Sequence, residues 1–199
     1  METSREHALD AIRANGVVRP RDLAPLGISR VQLSRLVEKG LVERVARGLY
    51  VAADAQYTEQ HTFAEAAKRA PRGVICLLSA LHFHGLTTQL PREVWMAIDG
   101  KARLPKDSSP PLRFVRFSPL ALSEGVEEHD IEGVLVKVFD PAKTVVDCFK
   151  YRSKIGQDIA LEALRDCARA RKCNVDDLWW YAQVERMTKV MAPYLEAVF

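Results

Sequence analysis

The chain has 199 residues, 48% apolar and 28% charged, which is enough apolar material for a real core in one or two domains. A run of about 18 apolar residues, as a membrane-crossing helix needs, is missing, and Met1 to Asp10 is too polar for a signal peptide, so a soluble, cytoplasmic protein is expected. The net charge of +3 is local: residues 1–53 hold nine Lys or Arg against six Asp or Glu, while residues 54–199 hold twenty of each. A basic excess confined to the first quarter is the footprint of a phosphate-binding module.

In chain order, Ser4 to Ala14 reads as a helix with Ala8, Ile12 and Leu9 on one face, ended by Asn15-Gly16. Pro20 opens a short second helix carrying Leu23, which Pro25 and Gly27 close. Ser29 and Gln32 form a capping box for a third helix, in which Leu33, Leu36 and Val37 share a face and Gly40 is the stop. The stretch "VERVARGLYV", residues 42–51, then reads as a hairpin turning at Ala46-Arg47-Gly48.

Three short helices followed by a hairpin predict a winged helix-turn-helix, whose third helix lies in the DNA major groove while the hairpin reaches toward the flanking backbone. At about 100° per residue, turning Leu33, Leu36 and Val37 inward points Val31, Ser34 and Arg35 outward, with Arg30 and Gln32 beside them. Arginine pairs bidentately with guanine, glutamine with adenine, and the Val31 methyls suit a thymine methyl. Arg44 and Arg47 on the hairpin are the expected phosphate contacts. The competing reading is a solvated charged surface on a protein-interaction module.

The pattern changes after Val51, and a domain boundary is expected near residues 53–58, giving a DNA-binding domain over 1–55 and a second domain over 56–199. Thr58 is the expected cap of a helix from Glu59 to Ala70. Val74 to Leu86 is an apolar segment, and Val94 to Ile98, Leu112 to Phe117 and Val134 to Phe139 read as strands around a loop at Asp107 to Pro111. Asp140 caps a helix entered through Pro141 and running to about Tyr151, followed by helices at about Gly156 to Arg171, Val175 to Ala182 and Glu185 to Ala197. The fold class is therefore α+β: a winged helix-turn-helix, then a mixed α/β domain with a helical C-terminal end.

Nothing in the sequence argues for an enzyme, a cofactor or a metal. In His82-x-His84 a helix would splay the two imidazoles by about 200°, and neither Cys nor carboxylate nearby completes a ligand set. Asp140, Lys143 and Asp147 fit a cap, a surface lysine and a helix-face carboxylate better than a nuclease cluster. Phosphate-binding glycine loops and nucleophile elbows are missing. Cys76, Cys148, Cys167 and Cys173 have no metal or redox spacing and read as reduced structural thiols.

Three blocks in order, "GISRVQLSRLVEKGLVERVARGLYV", "GVICLLSALHFHGLTTQLP" with "VWMAI", and "VKVFDPAKTVVDCFKYRSKIGQDIALEAL", resemble the AbiEi family, antitoxins of type IV toxin-antitoxin systems, over about residues 5 to 165. The resemblance implies a two-part protein. Its winged helix would bind inverted repeats in the promoter of its own operon and repress it. Its second domain would support cooperative self-association on that DNA and neutralise a nucleotidyltransferase toxin, AbiEii, without a stable complex. The family's DNA contacts map onto Arg30, Gln32, Ser34, Arg35, Arg44 and Arg47; no residue is assigned to antitoxicity. Better-known members carry a larger C-terminal domain, so the helices after Ile155 read as a compact or divergent version. The alternatives are a solitary regulator whose second domain binds a ligand near Leu81, Phe83 and Trp95 or binds a protein, and a DNA-processing enzyme using the winged helix as a targeting arm.

Overall fold

The computed structural model describes residues 2–105 and 110–199, with side chains from residue 5 onward. It is an α+β protein whose described residues divide into two compact units, one drawn from 2–71, 105, 110 and 129–136, the other from 72–104, 111–128 and 137–199.

The first unit opens with α1 (Glu2–Ala14), whose Ala8 and Ile12 are buried as their spacing predicts. Next come α2 (Pro20–Leu23), extended by a 3-10 turn over Ala24–Leu26, and α3 (Arg30–Glu38). Gly27 closes the turn at φ +75°, a left-handed conformation that glycine adopts without a Cβ penalty. The capping box at the start of α3 is formed as expected: the Gln32 amide donates to the Ser29 hydroxyl (3.2 Å) and the Ser29 amide donates to Gln32 Oε1 (2.8 Å). Strands β1 (Val42–Ala46) and β2 (Leu49–Ala52) pair antiparallel across an Arg47-Gly48 turn, with Gly48 at φ +73°.

Val18 exchanges two 2.9 Å backbone hydrogen bonds with Tyr50, adding a one-residue bridge to the wing between α1 and α2. So short a pairing leaves no alternation to read in the sequence. Ile12, Val18, Leu23, Ile28, Leu33, Leu36 and Val42 form one core cluster, so each helix is held by its apolar face rather than by propensity.

Helix α4 (His61–Arg69) completes this unit. It starts later than expected, with Gln60 in the cap position. The Thr58 amide and hydroxyl are drawn to the Glu132 carboxylate instead (2.7 and 2.9 Å), and His61 Nδ1 lies 2.6 Å from the same group. Burial opposes ionisation of Glu132, yet these partners hold its carboxyl below the ordinary value.

The second unit holds β3 (Val74–Ile75), α5 (Leu77–Phe83), β4 (Val94–Asp99), β5 (Leu112–Phe117), α6 (Pro119–Ser123) and parts of β6 (Val126–Ile131) and β7 (Val134–Phe139), of which the stretch 129–136 falls in the first unit. Its helical end is α7 (Pro141–Lys150), α8 (Arg152–Ile155), α9 (Gln157–Arg169), α10 (Val175–Val184) and α11 (Thr188–Val198). The strands form one sheet in the order β5-β4-β3-β7-β6. β4 runs parallel to β5 and antiparallel to β3, and β3 runs parallel to β7.

Asp140 caps α7 as expected, accepting from the Lys143 amide at 2.7 Å. The loop expected over Asp107 to Pro111 falls mostly outside the described residues. Leu81 and Trp95 lie in the main core cluster, at 0% and 4% exposure.

Candidate nucleic-acid interface

Helix α3 is pinned by Leu33 and Leu36, both at most 3% exposed, and this fixes which residues look outward. Val31 is 60% exposed, and Ser34 and Arg35 are exposed on the same side, at the i, i+3 and i+4 spacing of one helix face. Arg30 is exposed at the first helical position, and Gln32 is half-buried. Two of these side chains have local duties: Ser34 Oγ donates to Glu38 (3.3 Å), and Gln32 Oε1 holds the Ser29 amide.

On the wing, Arg44 and Arg47 are both exposed. Arg44 Nε donates to the Ala46 carbonyl (3.4 Å), which lays its guanidinium along the strand end. Arg47 occupies the turn itself.

Arg30 and Arg47 meet at a shared feature, an open recess of about 350 Å³ lined also by Arg19, Arg21, Lys68 and Arg69. The last four are cations that reasoning from the third helix and wing leaves aside. Arg19 and Arg21 belong to the basic first quarter, but Lys68 and Arg69 close α4, past that excess and with no local signal of their own. Asp22 sits beside the recess, accepting from Arg19 and from Lys68 Nζ (3.2 Å). Burial pushes its carboxyl up, but Arg19 and Lys68 outweigh it and hold the group below its ordinary value.

The candidate chemistry of the second unit resolves differently. Lys143 is not on the surface: it is fully buried, its Nζ 2.5 Å from Asp147 and 2.7 Å from Glu185, and Lys150 also reaches Glu185. The sequence places Asp140, Lys143 and Asp147 on one face of α7, but the partner that draws the lysine inward is 42 residues away. Glu185, expected to start the last helix, is instead the C-cap of α10 and 3% exposed. Tyr181 donates to Asp140 (2.5 Å), and His84 Nε2 lies 2.7 Å from the Phe139 carbonyl, so these groups are tied into the fold. Among the described residues, no group of three His, Cys, Asp or Glu is arranged to hold a metal, and no helix is long and apolar enough to cross a membrane.

The first unit is thus a winged helix-turn-helix with an exposed third helix and a basic wing. Residues 8–53 match the family model described as "Transcriptional regulator, AbiEi antitoxin", a family of regulators rather than an enzyme class. The chain is also similar to the crystal structure of the RV2827C protein from Mycobacterium tuberculosis, with a TM-score of 0.59 and 14% identity over 91% of this chain and 71% of that one. At that identity the likeness is one of fold. No curated protein matches the chain.

Proposed function

We propose that this chain is the antitoxin of a type IV toxin-antitoxin system and represses its own operon by binding inverted repeats in the promoter. The observation that carries the reading is the α3 face: Val31, Ser34 and Arg35 stand outward on a capped helix inside a region matching a transcriptional-regulator family.

In this reading Arg35 and Arg30 read guanine edges, Val31 meets a thymine methyl, and Arg44 and Arg47 neutralise flanking phosphates. Ser34 adds an adaptable hydroxyl. Gln32 reads adenine only by sharing the oxygen that caps α3, which makes it the weaker of the base readers. The protein acts on DNA in the cytoplasm, needs no cofactor, and counters a nucleotidyltransferase toxin of the AbiEii type without a stable complex.

One winged helix covers one half-site, so inverted repeats call for two copies of the protein. Titration of a promoter fragment carrying both repeats is expected to saturate at two copies with a lower midpoint per site than a fragment carrying one. Equal midpoints per site would rule out cooperative self-association. Co-expression with a nucleotidyltransferase toxin of the AbiEii type tests the antitoxin role: growth is restored if the reading holds and stays arrested if the chain is a solitary regulator.

A further inference from the structure

We infer that the recess bounded by α2, the wing turn and α4 seats a backbone phosphate of the bound DNA, so that α4 belongs to the DNA-binding surface. The inference rests on the DNA-binding reading above and extends it beyond the matched residues 8–53, since α4 spans His61–Arg69.

Six cationic side chains surround the recess, and Asp22 is the carboxylate that pairs with Arg19, Arg21 and Lys68. Backbone carbonyls hold two of the guanidiniums: Arg19 Nη1 donates to the Lys68 carbonyl (2.6 Å) and Arg69 Nη1 to the Arg47 carbonyl (2.7 Å). A carbonyl orients a guanidinium without cancelling its charge. Asp22 pairs with three of the cations and Glu65 is in electrostatic reach of Arg69, so the six positioned cations outnumber these two acids around an open volume of about 350 Å³. A phosphate is the complementary ligand, because the planar arginine fork matches two phosphate oxygens at once.

A backbone phosphodiester, rather than a free anion, follows from what else lines the recess. Arg30 comes from the first turn of the recognition helix and Arg47 from the wing turn, so a strand crossing both passes over this spot. A second recess of similar volume in the same unit, lined by Arg13, Asp54 and Glu132 among others, offers no such surplus, because its arginine is paired with Asp54 at 2.6 Å.

The test is DNA binding by the full chain, followed by fluorescence anisotropy across a salt series, on the chain's own promoter and on unrelated duplex. Arg21→Gln and Arg69→Gln are each expected to weaken binding to both DNAs by the same factor and to reduce the slope of log K against log salt by about one. Arg69→Lys keeps the charge and should keep the slope. Arg21 is 66% exposed, so its variant folds even if Arg69→Gln disturbs the wing turn. Unchanged affinity and slope in both variants, with the wild type still selecting its promoter, would overturn the phosphate seat while leaving DNA binding intact. Failure of the wild type to bind any DNA would instead remove the reading beneath it. Stabilisation by inorganic phosphate that the variants lose, without any change in their DNA binding, would make the recess a free-anion site and overturn the DNA assignment.

Discussion

Lys143→Met is expected to lower the unfolding free energy of the second unit by about 3–5 kcal/mol, the usual consequence of removing one partner from a buried ion pair. The substitution leaves the Asp147 and Glu185 carboxyls buried around a methyl group. It also removes a cation lying 4.5 Å from the Phe139 ring and 5.0 Å from the Phe117 ring. All three tryptophans, Trp95, Trp179 and Trp180, belong to this unit, so intrinsic fluorescence during urea unfolding reports on it directly. Combining Lys143→Met with Asp147→Leu should recover part of the loss, because it removes the acid left without an ammonium, whereas Glu185 keeps Lys150. A single-variant loss below about 1 kcal/mol would mean the network contributes no more than a surface pair.

The same network sets a pH dependence. Burial drives the Asp147 carboxyl up to about 8, against the pull of Lys143, which it shares with Glu185; among the described residues its Oδ2 has no hydrogen-bond partner. Burial also works against Glu185, but Lys143 and Lys150 hold that carboxyl below its ordinary value. Asp147 is therefore the acid that keeps a proton. A folded-state value above the unfolded one, about 3.9, means that the folded state binds more protons between the two, and its stability falls as pH rises from about 4 through 8. The urea midpoint should decline across pH 5 to 8 in the wild type and stay nearly flat in Asp147→Asn, which remains neutral while offering Lys143 a carbonyl. Parallel curves would place the titrating group elsewhere.

Arg35→Ala is expected to cost about 1–3 kcal/mol on the cognate promoter, roughly 5- to 150-fold in affinity, and little on unrelated DNA. Its side chain is exposed on α3, and its backbone carbonyl goes on accepting the Lys39 amide after truncation, so helix stability is not at stake. Arg47→Ala provides the contrast: taking the guanidinium proposed to contact phosphate off the wing turn is expected to weaken all sequences alike and to flatten the salt dependence by about one unit of slope. Selection of binding sites from a randomised library shows which has happened. The Arg35 variant should accept any base at one position per half-site, whereas the Arg47 variant should return the wild-type consensus. Identical consensus sequences for Arg35→Ala and wild type would take base reading away from this helix face.

The winged helix was legible because its signals are local. Ser29 and Gln32 lie three residues apart, Gly27 and Gly48 stand where the chain takes positive φ, and the α3 core face repeats at helical spacing. Three of the five-stranded sheet's strands were legible too, with β5 and β7 starting and ending where expected, β7 from its clean alternation. Strand β6 was not: its "VEEHDI" puts four polar residues in succession at the sheet edge, where charge protects against edge pairing and erases the apolar pattern. Lys143 was misread for a different reason, since no window around α7 contains Glu185. The recess on the first unit has the same character. Arg19 and Lys68 are 49 residues apart, and only the fold brings the end of α4 to the wing.

The most direct test of the central claim is a titration of the full chain against its own upstream promoter, with unrelated duplex of equal length as competitor, at two salt concentrations. Binding that selects the promoter over the competitor and weakens steeply with salt is the predicted result, from an α3 face that reads bases and a wing that neutralises phosphates. Binding no tighter to the promoter than to the competitor would contradict it, leaving the exposed α3 face and the wing arginines as a solvated surface rather than a sequence reader.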